Sequence, residues 1–386
     1  MNSALPHAET RLRNLEAVVR AEKEGRGKFD ALPLRVTLEL TADCNLHCPH
    51  CEFTPPRALA RKRKLEPELE LSVADLELFA RQVFPHIQVL IPSVVGEPMM
   101  YSHWSRFIAL LQEYGVFAEL FTNGTYLDED RLEEMRPALY RINVSMDGAS
   151  KKTFNKLRAP ADFEDVVRRL TILRDWRRRL SPAERPQVWI MSVFMLQWIE
   201  ELSDMVRLAA ELEIDGVCGA HLIAFDKSWE RWQPSVAPER SDRCLREAAS
   251  VARDLGISLS LPRLFSGENL SVYLPSKLPA VPKVEVPPAP QDGRRYYCWY
   301  LWREAFIALN GDVSACCGQR RPIVGNLRQD FDLQRLFSSP LMVRMREGTL
   351  DGQLHPACAA CPQLAMWGGV PYEDASFRSA SGLPAG

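Results

Sequence analysis

Three cysteines near the start of the chain, Cys44, Cys48 and Cys51, lie within one short loop-like segment. Closely spaced thiolates are the ligands that soft metals prefer, and iron–sulfur clusters are held in this way. A structural zinc site normally closes its tetrahedron with four protein ligands, so a cysteine triad leaves one position open for another ligand. On this loop alone, a zinc site completed by His47 or His50 is the alternative. The spacing favours an iron–sulfur cluster with one open iron.

A second group of cysteines lies near the C-terminal end of the chain, which has ten cysteines in all. In a reducing compartment cysteines rarely form disulfides, so uneven clustering points to metal ligands instead. A four-cysteine zinc ribbon is the alternative to a second iron–sulfur cluster. The members of the group with metal-site spacing are Cys298, Cys316, Cys358 and Cys361.

Four polar stretches, most of them directly after a predicted strand, accompany the cysteine triad. Each is weak alone, because Asn-Gly and Asp-Gly are ordinary turn dipeptides. Their value lies in their order along the chain and in their position after strands. They are Gly96-Glu97-Pro98, Thr122-Asn123-Gly124, Ser145-Met146-Asp147-Gly148 and Lys156-Leu157-Arg158.

The triad forms a CxxxCxxC motif after the first predicted strand, and with these stretches it resembles the radical SAM superfamily. The resemblance covers about residues 34–262. It implies a 4Fe–4S cluster whose open iron binds S-adenosyl-L-methionine (SAM), and reductive cleavage of SAM to a 5′-deoxyadenosyl radical that removes a hydrogen atom from a substrate. The sequence departs from the family at His50, where an aromatic residue is usual, and at Val95, which replaces the first glycine of the GGEP motif.

The resemblance also implies a set of residues around SAM. They belong to the GGEP motif that contacts the methionine amino group, the TNG turn, the S-x-D-G stretch near the ribose, and an arginine that can meet the cofactor carboxylate. A guanidinium suits a carboxylate because its donors bind it in pairs. In this sequence the implied residues are Gly96, Glu97, Pro98, Asn123, Ser145, Asp147 and Arg158.

The C-terminal cysteines resemble the SPASM module that follows many radical SAM barrels. Gly311 is followed by four residues and then Cys316, as in the CxₙGx₄C element, which selects Cys316 over Cys317 as the ligand. A full SPASM module holds two auxiliary clusters, but this chain has no cysteine after Cys361. The departure implies one auxiliary 4Fe–4S cluster, as in the shortened "twitch" form. Its implied ligands are Cys298, Cys316, Cys358 and Cys361.

These resemblances imply an enzyme that dehydrogenates or epimerises a carbohydrate-like substrate, such as a sugar, aminocyclitol or aminoglycoside. The twitch form occurs in an aminocyclitol dehydrogenase, which slightly favours dehydrogenation. The alternative is a maturase of a ribosomally made peptide, although the roughly 33 residues before the first predicted strand are few for a peptide-recognition domain. The third class, a non-catalytic scaffold, does not explain the polar stretches. The expected partners are a small molecule rather than a peptide, and an electron donor such as flavodoxin or ferredoxin.

Two cysteines outside the ligand sets are the candidate catalytic residues. An epimerase needs a thiol that returns a hydrogen atom to the substrate radical, whereas a dehydrogenase passes an electron to the auxiliary cluster. Cys218, on the sixth predicted strand, is the first candidate and Cys317 the second. Packing is the alternative use of a buried cysteine. Cys244 falls on a predicted outer helix and is not expected to reach a substrate.

Short β-branched runs alternate with amphipathic stretches, which predicts repeated β–α units and a parallel sheet. In such sheets functional groups lie at the carboxyl ends of the strands. The predicted strands are Arg35–Leu40, Ile87–Ile91, Val116–Phe121, Arg141–Met146, Val188–Phe194 and Gly216–Ile223. The predicted helices are Ser72–Phe84, His103–Tyr114, Phe163–Arg179, Ile199–Leu212 and Pro238–Leu255.

The predicted fold class is α/β, a partial (β/α)6 TIM-like barrel followed by a small cysteine-rich SPASM/twitch domain. The Pro-rich composition near residue 280 marks a linker between the two. The predicted domains are an N-terminal helical extension at 1–33, the radical SAM barrel at 34–262, the linker at 263–293, the auxiliary domain at 294–370 and a flexible tail at 371–386.

The composition excludes several other classes of protein. A net charge of −2 gives no electrostatic reason to expect nucleic acid or an anionic membrane as a partner. The sequence has no apolar run of the ~18 residues that a membrane span needs. Its N-terminus is too charged for a signal peptide. We therefore expect a cytoplasmic protein with neither a nucleic acid nor a membrane as partner.

Overall fold

The computed structural model describes residues 6–51, 69–93, 95–224, 226–272, 298, 300–316, 322–359 and 361 of the 386-residue chain. Three regions named above lie outside the described residues. They are most of the predicted linker (273–293), the predicted tail (371–386) and Cys317.

One sheet of ten strands runs through the described part of the chain, in the order β10-β9-β8-β1-β2-β3-β4-β5-β6-β7. Neighbouring strands from β1 to β7 pair in parallel, which confirms the predicted sheet. The ends of the six predicted strands differ from the observed ends by no more than two residues. The strands are β1 Arg35–Leu38, β2 Val89–Ile91, β3 Phe117–Thr122, β4 Leu139–Ser145, β5 Gln187–Phe194, β6 Gly216–His221, β7 Ser258–Ser260, β8 Glu304–Ile307, β9 Asp312–Ser314 and β10 Ile323–Asn326.

Helices connect the parallel strands, and local sequence explains where several of them begin and end. Ser72 caps the N-terminus of α2, because its Oγ accepts a hydrogen bond from the Asp75 N–H at 3.1 Å. Gly115 and Gly256 end α3 and α8 in the left-handed conformation. The helices are α1 Ala8–Lys23, α2 Val73–Val83, α3 Trp104–Tyr114, α4 Glu129–Met135, α5 Lys151–Leu157, α6 Phe163–Arg179, α7 Leu202–Glu211, α8 Pro238–Leu255, α9 Tyr300–Arg303, α10 Leu333–Phe337, α11 Pro340–Asp351 and α12 Pro356–Ala359.

Two features of the sheet differ from the sequence-based expectation. A seventh parallel strand, β7, follows α8; it was not predicted because it is short and serine-rich. The C-terminal region also continues the barrel sheet: β8 pairs in parallel with β1, and β9 returns antiparallel to β8. A hairpin turn at Asn310-Gly311 joins β8 to β9, with Gly311 at φ +85°. The two cluster regions therefore share one sheet.

The two faces of the sheet have opposite character. The outer face carries apolar side chains such as Val36, Leu120 and Ile142, which are fully buried under the helices. The inner face carries acidic and basic side chains that contact one another. Arg35 contacts Glu119 at 3.0 Å and Glu304 at 3.4 Å, and Arg141 lies 3.8 Å from Glu119. We call Arg35, Glu119, Arg141 and Glu304 the inner charge network.

A buried arginine ties the N-terminal extension to the C-terminal region. Arg346 of α11 is fully buried and donates hydrogen bonds to the carbonyls of Gly27, Leu301 and Phe337. Its guanidinium lies 4.4 Å from the ring centroid of Phe29 and 4.5 Å from that of Phe337. Burial lowers the pKa of Arg346 to about 9. Since Leu301 belongs to α9, this contact also positions the segment between Cys298 and β8.

No helix in the described ranges is both long enough and apolar enough to cross a membrane.

Candidate functional site

The cysteine triad lies in the loop that follows β1, at the carboxyl end of the parallel strands. Cys44 is exposed, Cys48 is buried and Cys51 is half-buried. Although the residue is exposed as a whole, desolvation of its sulfur by the surrounding protein raises the pKa of the Cys44 thiol to about 11, and the negative charges of Glu97, Cys48 and Cys51 contribute to the shift. The three sulfurs thus lie close enough to interact, as the ligands of one cluster must.

Gly96 holds the triad loop against the end of β2. It has φ +80°, and a Cβ at this position would lie 2.6 Å from the carbonyl oxygens of Thr41 and Asp43. The next N–H, that of Glu97, donates to the Asp43 carbonyl at 2.6 Å. Only glycine permits both the backbone conformation and this close approach. The backbone geometry therefore explains why a glycine occupies position 96, independently of any cofactor.

Gly96→Ala is expected to lower the free energy of unfolding by about 1–3 kcal/mol or more, and to loosen the triad loop. The matched control is Gly256→Ala, because Gly256 has φ +65° but no atom within 4 Å of the added Cβ. Thermal unfolding and iron retained after anaerobic reconstitution measure the two effects. Gly96→Ala should lose iron and Gly256→Ala should keep it. Equal iron in both variants would show that the close approach does not matter.

Glu97 connects the stretch after β2 to the turn after β3. Its carboxylate accepts hydrogen bonds from the Thr122 hydroxyl at 2.8 Å and from the Asn123 N–H at 2.7 Å. Burial raises the pKa of Glu97 to about 7, against the effect of these donors. Pro98 begins a 3₁₀ turn, Pro98–Met100, which Glu97 caps through the Met99 N–H. The structure thus brings together two of the stretches that the sequence singled out.

Asparagine side chains fix the first half of the triad loop. Asn123 donates to the Asn45 side-chain oxygen at 2.8 Å, and Asn45 donates to Thr125 at 3.0 Å. The sulfur of Cys44 accepts a hydrogen bond from the Leu46 N–H at 3.4 Å and lies 3.9 Å from the side-chain amide nitrogen of Asn123. The role of Asn45 was not predicted, because one asparagine in a loop carries no distinctive sequence signal.

The second half of the loop is fixed by a charged cluster. His50 Nε2 lies 3.0 Å from Asp147 Oδ2, and an Arg158 nitrogen lies 2.7 Å from the same oxygen. The other Asp147 oxygen accepts the Val193 N–H at 2.7 Å. Arg158 also reaches to 4.0 Å from the Cys48 sulfur. Burial alone would raise the pKa of Asp147, but Arg158 and His50 hold it below its usual value.

These contacts bear on which metal group the triad can hold. Within the described ranges, no group of three or more His, Cys, Asp or Glu side chains converges to hold a single metal ion. The ligands of a four-iron cluster each bind a different iron, so they need not converge. N–H groups near cluster sulfurs are typical of such sites. The contact with Asp147 occupies His50 Nε2, one of the ring nitrogens on which the zinc alternative relied. The donor set fits an iron–sulfur cluster.

The structure also brings members of the second cysteine group close together. Cys358 is buried, and Cys298, Cys316 and Cys361 are half-buried. Burial raises the pKa of the Cys358 thiol to about 12, with the charges of Cys316 and Cys361 contributing. Cys316 follows β9, while Cys358 and Cys361 lie at α12, whose turn includes the Cys361 N–H bonded to the Cys358 carbonyl at 3.0 Å. Three of the four implied ligands therefore lie near one another.

Two further predicted residues, Ser145 and Cys218, lie on strands of the sheet. The strand register places Ser145 of β4 beside Met191 of β5, and Met191 beside Cys218 of β6. Cys218 is half-buried and hydrogen-bonded to Ser260. Cys244 is buried in α8, as expected of a packed cysteine. The inner charge network was not predicted, although charged residues within apolar strands were a visible signal.

Comparison with known protein families gives two matches. Residues 38–209 match the model of the radical SAM superfamily, and residues 298–362 match that of an iron–sulfur cluster-binding domain, SPASM. The second match begins at Cys298 and ends just after Cys361, so it spans the second cysteine group.

Known relatives cover only part of the chain. It is 29% identical over 182 residues to an AdoMet-dependent heme synthase of Methanosarcina barkeri, covering 47% of this chain and 48% of that protein. It is 23% identical over 234 residues to a PqqA peptide cyclase of Bradyrhizobium diazoefficiens, covering 60% and 57%. The chain thus spans about half the length of these curated relatives.

Solved structures share the fold. SuiB of Streptococcus suis bound to S-adenosylmethionine matches with a TM-score of 0.60 at 15% identity, covering 95% of this chain and 79% of that one. Native anSMEcpe with bound AdoMet matches with a TM-score of 0.56 at 16% identity, covering 86% and 88%. At this identity the likeness shows the fold alone. By the two family matches, the chain has a radical SAM domain and a SPASM iron–sulfur cluster-binding domain, and these domains imply SAM and 4Fe–4S clusters as cofactors.

Proposed function

We propose that this radical SAM enzyme removes a hydrogen atom from a hydroxyl-bearing carbon of a polar, carbohydrate-like substrate. The substrate lies against the inner face of the sheet, below the triad loop. The cofactors supply the radical that takes the hydrogen atom, and the protein positions the substrate and excludes water. An external electron donor such as flavodoxin or ferredoxin supplies the electrons.

The character of the inner face supports a polar substrate. The interior of a TIM-like barrel is ordinarily packed with Val, Ile and Leu. Here the inner face has the inner charge network, and Thr37 and Asn143 donate hydrogen bonds to Glu304 and Glu119 at 2.7 and 2.9 Å. Because the charges of this network pair with one another, recognition falls to uncharged groups. Hydroxyl and thiol groups of Ser145, Ser260 and Cys218 suit a hydroxylated substrate.

Cys218 is the observation that favours epimerisation over dehydrogenation. It is half-buried on the inner face. Its strand, β6, pairs with β5, and β5 pairs on its other side with β4, which carries Ser145. Burial raises the pKa of the Cys218 thiol, so it keeps its hydrogen at neutral pH, which is the form that can donate a hydrogen atom. Donation forms a C–H bond on the substrate and breaks the S–H bond. One electron from the external donor and one proton then restore the thiol.

A deuterium experiment tests this proposal. Sugars, aminocyclitols and aminoglycosides are incubated in deuterium oxide with the wild type, Cys218→Ala and the control Cys244→Ala. Because the thiol hydrogen exchanges with solvent, the wild type and the control should give an inverted product that carries one deuterium. Cys218→Ala should give no inverted product. A ketone formed equally by all three proteins would instead identify a dehydrogenase in which Cys218 is a packing residue.

A peptide maturase is the second candidate function. It is favoured by similarity to the PqqA peptide cyclase and, at 26% identity over 199 residues, to the mycofactocin maturase MftC of Mycolicibacterium smegmatis. Modification of a peptide in the same assay, with every carbohydrate unchanged, would replace the first proposal by this one.

A further inference from the structure

His50 occupies the position before the third triad cysteine, and its side chain turns into the protein. His50 is only 8% exposed, and its Nε2 lies 3.0 Å from Oδ2 of the fully buried Asp147. The neighbouring histidine of the same loop, His47, is exposed. Two histidines three residues apart therefore have different environments, and only one of them contacts a buried charge.

The partners that Asp147 contacts in the described structure all come from the protein itself. A buried carboxylate requires hydrogen-bond donors or charge partners, and Asp147 has three: the Val193 N–H, the His50 ring and the Arg158 guanidinium. The last two meet at the same oxygen. His50 and Arg158 therefore share the charge of Asp147, and loss of either donor changes how strongly the carboxylate attracts the other.

Arg158 connects this carboxylate to a cluster ligand. One guanidinium nitrogen lies 2.7 Å from Asp147 and another lies 4.0 Å from the Cys48 sulfur. The loop carrying Arg158 is also bonded to the triad loop, because the His47 N–H donates to the Ala159 carbonyl. The Arg158 guanidinium thus contacts both the Asp147 carboxylate and the Cys48 sulfur. The strength of its pull toward the sulfur depends on how well Asp147 is satisfied by His50.

We propose that His50 is a positioning residue that acts through Asp147 to keep the Arg158 guanidinium beside Cys48, and thereby sets the reduction potential of the triad cluster. Net charge and hydrogen bonds to the sulfurs determine the potential of an iron–sulfur cluster. Positive charge near the sulfur favours the reduced cluster, and uncompensated negative charge disfavours it. This inference rests on the radical SAM chemistry of the chain and is independent of the substrate proposed above.

The proposal predicts opposite shifts for two substitutions. His50→Phe fills the position with an aromatic ring but removes the donor, so Asp147 draws Arg158 away from Cys48 and the midpoint potential falls. Asp147→Asn removes the carboxylate charge, so the Arg158 guanidinium interacts more strongly with the Cys48 sulfur. The midpoint potential of the cluster therefore rises. A merely structural role, in which either change loosens the loop, has no reason to produce shifts of opposite sign.

The measurement is a redox titration of the anaerobically reconstituted protein, followed by electron paramagnetic resonance of the cluster signal that added SAM perturbs. His50→Gln, which keeps an N–H donor, should restore the potential toward the wild-type value, and the control His47→Phe should leave it unchanged. Wild-type potential in His50→Phe, or an equal shift in His47→Phe, would overturn the proposal. If His50→Phe retains no iron, Asp147→Asn decides: a higher potential supports the proposal, and an unchanged or lower one overturns it.

Discussion

Simultaneous replacement of Cys44, Cys48 and Cys51 by alanine is expected to abolish reductive cleavage of SAM while the C-terminal cluster remains. Cys44, Cys48 and Cys51 are the expected ligands of the cluster at the end of β1, and the second cysteine group is expected to hold a cluster of its own. Cleavage to 5′-deoxyadenosine, measured with dithionite as reductant, should fall to the level of a reaction without enzyme.

The control for this experiment is Cys244→Ala, because Cys244 is buried in α8 and belongs to neither cysteine group. It should cleave SAM at the wild-type rate. Cleavage that persists in the triple variant would mean that the cofactor is bound and reduced elsewhere in the chain.

Arg346→Met is expected to cost about 3–5 kcal/mol of stability, because it removes a buried guanidinium and leaves three backbone carbonyls without their donor. The matched control is Arg344→Met on the same helix, since Arg344 is exposed. Chemical denaturation of the metal-free proteins measures the difference. A loss below about 1 kcal/mol in Arg346→Met would show that the carbonyls find other partners.

The same substitution should lower the iron content of the C-terminal cluster before that of the triad cluster. Arg346 binds the carbonyl of Leu301 in α9, and α9 separates Cys298 from β8. Loss of this contact frees the segment that carries Cys298. Iron assays on Arg346→Met and on the triple cysteine variant distinguish which cluster has lost metal.

Much of the barrel could be predicted from the sequence because its signals are local. The parallel strands are short β-branched runs, and Ser72 and Gly115 mark helix ends by their chemistry. The stretch containing Gly96 was recognisable because Gly96-Glu97-Pro98 resembles a family motif and follows a predicted strand. In each case the information lies within a few residues of the feature that it predicts.

The features that sequence reasoning missed depend on contacts between distant segments. The pairing of β8 with β1 joins residues such as Thr37 and Glu304, which are 267 positions apart. The role of His50 depends on Asp147, which no loop motif specifies. Strand β7 has serines at both ends, so it lacks the apolar run by which the other strands were recognised.

The most direct test of the account is a metal analysis of the anaerobically reconstituted wild-type chain. Two 4Fe–4S clusters predict about eight irons and eight sulfides per chain, with no stoichiometric zinc. The triple cysteine variant should then hold about four of each. A wild-type chain that binds one zinc and only about four irons would contradict the account, because the second cysteine group would then be a zinc ribbon.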